Sequence, residues 1–277
     1  MTKIKNAYRF IRYVLLQRHF YGITAPLRVL PDFAVIGVGR GGTTSLYHYL
    51  DEHPCITKSA YDELGFFDDN YHLGLNWYRS MFPTKSHKEK IIKKFVKFLT
   101  YDVTPFYIYN KISVERIFKA FPNSKIIAVL RNPIDRAYSN YFLGDQKESF
   151  EKTIEREKEE LKRISAMDHE GYYKFTRNSL LARGFYAEQL KSWFKVFPKE
   201  RILIIKSEDL SSDSQKILNE IFQFLELPQH NIEKLEKKNL GNYLRMKEET
   251  RNDLTEFFRP YNEKLYLMLG RDFGWDK

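Results

Sequence analysis

The sequence predicts an α/β fold: one domain with a central, mostly parallel sheet and helices on both faces. Three stretches carry that expectation. Phe33-Ala34-Val35-Ile36-Gly37 is a short apolar run that passes through a glycine-rich loop into helical spacing at Leu46, Tyr47, Tyr49 and Leu50. Lys125 to Leu130 is a continuous apolar run after its first residue, the mark of a strand buried on both faces, and it leads through Arg131-Asn132-Pro133 into a second helical pattern. Arg201 to Ile205 has the same form and follows a helix that carries Leu190, Trp193, Phe194 and Phe197. Strands alternating with helices in this way read as a parallel sheet.

Size and composition agree. A chain of 277 residues suits one α/β domain with a substantial core. A hydrophobic content of 43% and an aromatic content of 16% exclude a disordered protein. The formal charge of +10 suits an anionic partner: a nucleotide, an acidic or sulfated glycan, nucleic acid or a membrane surface. No nucleic-acid-binding motif accompanies it, so nucleic acid is not the expected partner. Cys55 is the only cysteine, which precludes an internal disulfide; it reads as a packed core residue rather than a nucleophile. No Cys/His cluster has metal-ligand spacing, and no metal is expected.

Residues 1–30 precede the first strand. Ile4, Ala7, Ile11, Val14 and Leu15 fall at helical spacing among Lys3, Lys5, Arg9, Arg12 and Arg18. The segment is too short and too charged to span a bilayer, and it lacks the cleavage pattern of a signal peptide. It reads as a helix packed on the domain, with an interfacial helix on anionic lipid as the alternative. The expected location is cytoplasmic.

The loop Gly37-Val38-Gly39-Arg40-Gly41-Gly42-Thr43-Thr44-Ser45 comes next. Glycines let the backbone approach an anion closely. Amides turned inward and a helix N-terminus supply partial positive charge. Thr43 and Thr44 add hydroxyls, and Arg40 adds a full charge. Gly37 and Gly42 fit the nucleotide P-loop spacing G-x-x-x-x-G-K-[ST], but Thr43 stands at the lysine position, which argues against a kinase or ATPase.

Tyr61-Asp62-Glu63-Leu64-Gly65-Phe66-Phe67-Asp68 follows, then Asn70-Tyr71-His72-Leu73-Gly74-Leu75-Asn76-Trp77-Tyr78. Glu63, between an anion loop and an aromatic run, is a candidate general base; burial beside Phe66 and Phe67 would raise its pKa into a useful range. A carboxylate there also serves as a surface or cap residue, and His72 is the next titratable group along. Trp77, Tyr78 and Tyr71 are candidates for stacking on sugar rings. Residues 84–99 form a lysine-rich helix, and Tyr101 to Tyr107 a strand end and turn. Arg131 sits at the C-terminal end of its strand, where α/β folds place ligands, and Ser139 lies two helical turns further on. The charged stretch 145–170, with Phe150, Ile154 and Leu161 in phase, reads as an exposed amphipathic helix. Lys206-Ser207-Glu208-Asp209-Leu210 follows the strand at 201–205, and Ile217, Ile221, Phe224 and Leu225 share one face of a helix. Lys234 to Tyr243 is a basic loop, and a last helix runs from about Glu248 to Leu269 with Gly270 as its C-cap.

Taken together, these motifs resemble the sulfotransferases that use PAPS (3′-phosphoadenosine 5′-phosphosulfate). Strand-Arg40-Gly41-Gly42-Thr43-Thr44-x-Leu46 resembles their 5′-phosphosulfate loop, in which lysine usually stands at the position of Arg40. Arg131-Asn132-Pro133-x-Asp135-Arg136-Ala137-Tyr138-Ser139 resembles their 3′-phosphate motif. Glu63-x-x-Phe66-Phe67 and Asn70-Tyr71-His72-x-Gly74-x-x-Trp77-Tyr78 resemble the heparan sulfate N- and 3-O-sulfotransferases, especially the N-sulfotransferase domain; the glycan-acting relatives also carry lysine near the position of Val103. The likeness runs from about Pro31 to Trp275, so that 1–30 is a basic segment and 31–277 the domain, with a P-loop-like fold.

The resemblance implies sulfuryl transfer from PAPS, with PAP as product, to a hydroxyl or amine, a saccharide being the favoured acceptor. It places Arg40 to Ser45 on the phosphosulfate and Arg131 and Ser139 on the 3′-phosphate. Glu63 becomes the base, Glu208-Asp209-Leu210 mainly structural, and Lys238 and Gly241 part of a loop that closes the nucleotide site. Arg40 would stabilise the leaving oxygen, but an arginine, protonated near neutrality, is a poor proton donor beside the usual lysine. A P-loop-like phosphotransferase and a non-catalytic glycan- or nucleotide-binding protein of the same fold are the alternatives.

Overall fold

A computed structural model describes residues 22–144, 147–163, 167–233 and 244–276. The expected helix within residues 1–21, the loop with Lys238 and Gly241, and the ends of the charged stretch at 145–146 and 164–166 lie outside the described residues. In chain order the elements are β1 (Phe33–Gly37), α1 (Thr43–Asp51), β2 (Ile56–Lys58), α2 (Leu75–Arg79), α3 (Lys85–Phe95), β3 (Leu99–Val103), α4 (Lys111–Ala120) and β4 (Lys125–Leu130). There follow α5 (Pro133–Tyr141), α6 (Phe150–Leu161), α7 (His169–Asn178), α8 (Tyr186–Val196), β5 (Ile202–Lys206), α9 (Ser207–Ser212), α10 (Ser214–Phe224) and α11 (Glu248–Leu269).

The five strands form one sheet in the order β2-β3-β1-β4-β5, and every pairing is parallel. β1 is central: Phe33 is in register with Tyr101 on β3 and with Lys125 on β4. The chain leaves β1 for β2 at the edge, returns through β3, and crosses to β4 on the other side of β1. Connections therefore diverge at the C-terminal end of β1, the switch point at which open parallel sheets hold ligands.

Side chains alternate along the strands and separate the core into two layers. Ala34, Ile36, Ile126, Ala128 and Leu130 pack with Val114 and Ile117 of α4 and Leu190 and Trp193 of α8. Phe33, Val35, Ile127 and Val129 pack with Leu46 and Leu50 of α1 and Ile217 and Ile221 of α10. Helices thus cover both faces, and each fully buried large side chain contributes about 1.5–3 kcal/mol. Cys55 is buried in the second layer. Val29 and Leu30 pack against the first.

A third cluster corrects the reading of the charged stretch. Phe150, Ile154 and Leu161 of α6 are buried against Ile134 and Ala137 of α5 and Leu254 and Phe258 of α11. The helix is amphipathic, but its apolar stripe is docked and only its charged face meets solvent. Gly270 adopts the left-handed conformation of a C-cap after α11, as the sequence predicts.

Candidate active site

The loop after β1 is fixed by its own backbone. Val38 N–H donates to the Val129 carbonyl of β4 at 2.8 Å, and Gly41 N–H donates back to the Val38 carbonyl at 2.9 Å. A Cβ on Gly41 would lie 2.8 Å from both of those carbonyl oxygens, so only glycine fits. Gly42 takes φ 95° and Arg40 φ 68°, both in the left-handed region. α1 then starts at Thr43, with Thr43 and Ser45 buried and Thr44 half-buried. First-turn amides of a helix have no partner within it, and the macrodipole adds positive character there. Arg40 to Ser45 are therefore gathered around one helix N-terminus, a geometry suited to an oxyanion.

β4 brings up the second group. Arg131 follows its last residue, and its Nη1 donates to the Arg40 carbonyl at 3.0 Å. Arg40 Nε donates in turn to Ser139 Oγ of α5 at 2.9 Å. Arg40, Arg131 and Ser139 thus form one hydrogen-bonded chain across the C-terminal ends of β1 and β4. α5 is aimed by its cap: Pro133 occupies the first turn and the Asn132 side chain accepts from Ile134 N–H at 2.9 Å.

A scaffold that the motifs did not reveal stands behind this chain. Tyr186 Oη donates to the Arg131 carbonyl at 2.8 Å. Glu208 Oε1 accepts the Asn132 N–H at 2.8 Å, and its Oε2 accepts Trp275 Nε1 at 3.4 Å. Lys206 Nζ donates to the Phe273 carbonyl at 2.6 Å, and Phe273 and Trp275 are buried. The structural part expected of Glu208 thus has a definite content: it ties the strand-end loop of β4 to residues 273–275.

On the other side of β1, Glu63 is held at the end of β3. Its N–H donates to the Val103 carbonyl at 2.8 Å, and its φ is 54°. Its side chain is exposed, whereas Phe66 and Phe67 beside it are core residues. The expected burial of the carboxylate is therefore not found: the two phenylalanines turn inward and leave Glu63 at the surface. The stacking role expected of Trp77 and Tyr78 is also corrected, because these are 4% and 0% exposed. Tyr71 is exposed, with the Arg116 guanidinium 4.0 Å from its ring centre, and His72 is exposed on the turn Tyr71–Leu73. Phe106, with Gly39, Pro105 and Arg183, borders a small cavity beside the loop. The Arg183 and Arg177 guanidiniums lie 5.2 and 5.3 Å from the Phe106 ring centre.

Asp68 is a carboxylate that the sequence reading passed over. Burial pushes its pKa up to about 6, where a carboxylate can exchange protons near neutrality. Its signal was the position five residues after Glu63, on the far side of the two phenylalanines. No group of three or more His, Cys, Asp or Glu side chains able to hold a metal occurs among the described residues.

A glycine-rich loop opening a helix at the central strand of a parallel sheet, with an arginine-bearing strand end beside it, defines a P-loop-like α/β protein. The chain belongs to the sulfotransferase family: the family model of the sulfotransferase domain matches residues 30–262. It is 29% identical to the membrane-associated sulfotransferase kil1 of Dictyostelium discoideum, over 91% of this chain and 68% of that protein. It is 30% identical to the heparan sulfate glucosamine 3-O-sulfotransferase 3A1 of Mus musculus, over 89% of this chain and 65% of that protein. The chain thus spans about two thirds of the length of these relatives. The crystal structure of a sulfotransferase from Alicyclobacillus acidocaldarius superposes with a TM-score of 0.66 at 25% identity, covering 90% of this chain and all of that one.

These likenesses favour sulfuryl over phosphoryl chemistry. They also overturn the expected cytoplasmic location, since the Dictyostelium relative is membrane-associated. No helix among the described residues is long and apolar enough to cross a membrane.

Proposed function

We propose that the chain transfers the sulfuryl group of PAPS to a hydroxyl or amine of a saccharide. The observation that carries the donor assignment is the chain Arg131–Arg40–Ser139. It joins the helix N-terminus after β1 to the strand end of β4, and so sets two anion-binding groups side by side. PAPS has two anionic groups to match them, the 5′-phosphosulfate and the 3′-phosphate. Arg40 to Ser45 take the first, Arg131 and Ser139 the second. In the transfer, the bond from sulfur to the bridging phosphate oxygen breaks and a bond from sulfur to the acceptor atom forms in line. Negative charge grows on the bridging oxygen, where the Arg40 guanidinium and the amides of α1 stabilise it without reorganisation. Glu63 takes the acceptor's proton. A saccharide acceptor is supported by the glycan-sulfating relative, by the net charge of +10, and by Phe106 with two arginines beside the loop.

Calorimetry with PAP and with adenosine 5′-phosphosulfate tests the donor. PAP is expected to bind far more tightly, and equal affinities would remove the 3′-phosphate assignment. Transfer of radiolabel from PAPS to a panel of heparan-type saccharides, phenols and lipids tests the acceptor. For the base, Glu63→Gln is expected to lower turnover by about 10²–10⁴-fold with PAP affinity unchanged. A variant that turns over like wild type, with Asp68→Asn inactive, would move the base to Asp68.

A further inference from the structure

Asp102 on β3 is 1% exposed, and the transfer chemistry does not use it. It is surrounded by hydroxyls. Tyr78 Oη and Tyr107 Oη each donate to its Oδ2 at 3.0 Å, and Thr104 Oγ1 donates to its Oδ1 at 2.9 Å. A buried carboxylate is tolerated only when hydrogen bonds compensate it, and these three do so.

Their consequence lies one bond further out. A hydroxyl has a single proton, so one that donates to Asp102 has only lone pairs left for its other neighbours. Those neighbours are the amides of the Glu63 loop. Phe66 N–H and Phe67 N–H donate to Tyr107 Oη at 2.9 and 3.2 Å, and Gly65 N–H donates to Thr104 Oγ1 at 3.3 Å. With Glu63 N–H on the Val103 carbonyl, four amides of the segment 63–67 end on residues 103–107. Three of them end on hydroxyls that Asp102 orients. The loop requires such holding at Glu63, whose φ of 54° is a conformation that a non-glycine residue adopts only when its surroundings impose it.

We propose that Asp102 is a positioning residue. By polarising Tyr107 and Thr104 it fixes the segment 63–67, and with it the place of the Glu63 carboxylate at the open ends of β1 and β3. The proposal rests on the reading of Glu63 as the base.

The test uses Asp102→Asn and Tyr107→Phe, each alone and combined with Glu63→Gln. Asparagine keeps the volume but presents an NH2, a donor, to hydroxyls that need an acceptor. Tyr107→Phe removes the acceptor of two loop amides while leaving Asp102 and the core shape in place, and it gives the same reading should Asp102→Asn fail to fold. In either variant kcat is expected to fall roughly ten- to hundredfold, the scale of a misplaced reacting group, while PAP affinity and the KM for PAPS stay unchanged. Native-state hydrogen exchange of the Gly65, Phe66 and Phe67 amides is expected to quicken by about tenfold or more, with β4 unaffected. In the Glu63→Gln background, neither substitution is expected to lower kcat further.

Unchanged exchange of the loop amides in Tyr107→Phe would overturn the proposal. So would a loss of kcat equally large with and without Glu63. Failure of the base assignment itself appears separately, as full turnover of Glu63→Gln alone, because the exchange measurement makes no reference to turnover.

Discussion

Arg131 and Gly41 show how much a single position decides. With Arg131 on the 3′-phosphate as proposed, Arg131→Ala is expected to weaken PAP binding by about 1.5–3 kcal/mol with the fold intact; titration calorimetry beside a denaturation curve separates the two. Gly41→Ala should act on both. Its Cβ would meet the Val38 and Val129 carbonyls at 2.8 Å, and backbone cannot move aside as a flexible side chain does. A loss of about 1–3 kcal/mol in stability together with poor PAP binding is expected, and an alanine variant that binds PAP normally would contradict the close packing of this loop. Both residues were legible in the sequence, since a glycine-rich strand-to-helix turn and an arginine after a buried strand are local patterns. The environment of Glu63 was not, because local sequence does not say which of two neighbouring groups turns inward. Phe66 and Phe67 took the interior and left the carboxylate outside.

Among the elements, β1, β4, β5 and the helices after them were readable from continuous apolar runs and helical phase. Less readable were the partners of amphipathic faces. α6 has the charge pattern of a free surface helix, yet its stripe of Phe150, Ile154 and Leu161 closes a core with α5 and α11. Trp77 and Tyr78 appear beside polar residues in the chain, but a short helix turns them both into the sheet's first layer. The strand-end loop of β4 depends on an element far from it in sequence. Glu208→Ala leaves the Asn132 amide without its acceptor and is expected to reduce stability by about 1–3 kcal/mol. It should also weaken PAP binding, although Glu208 is not placed on the nucleotide. Binding and unfolding measured on one preparation check this; unchanged PAP affinity would show that the loop keeps its shape unaided.

At the scale of the whole molecule, stability should carry a signature of the buried Asp102. Burial pushes its pKa up from 3.8 to about 6, with Asp68 adding to the rise and the hydroxyl bonds opposing it. The folded state therefore binds more protons than the unfolded state between those values, and this group's contribution to stability falls as pH rises through the window. The full effect is on the order of 3 kcal/mol. Denaturation of wild type and Asp102→Asn between pH 4 and 7 checks the sign: the advantage of wild type over the variant should shrink as pH rises, and a growing advantage would contradict it. The link from Asn132 through Glu208 to Trp275 bears on how the molecule is made. Its steps span 76 and then 67 residues of chain. A polypeptide leaving the ribosome presents the glycine loop early, yet the support of its partner strand end arrives only with residues 273–275. A chain shortened before them would lose that support together with two buried members of the first core layer, so the sheet's packing and the shape of the strand-end loop hang on the same few late residues.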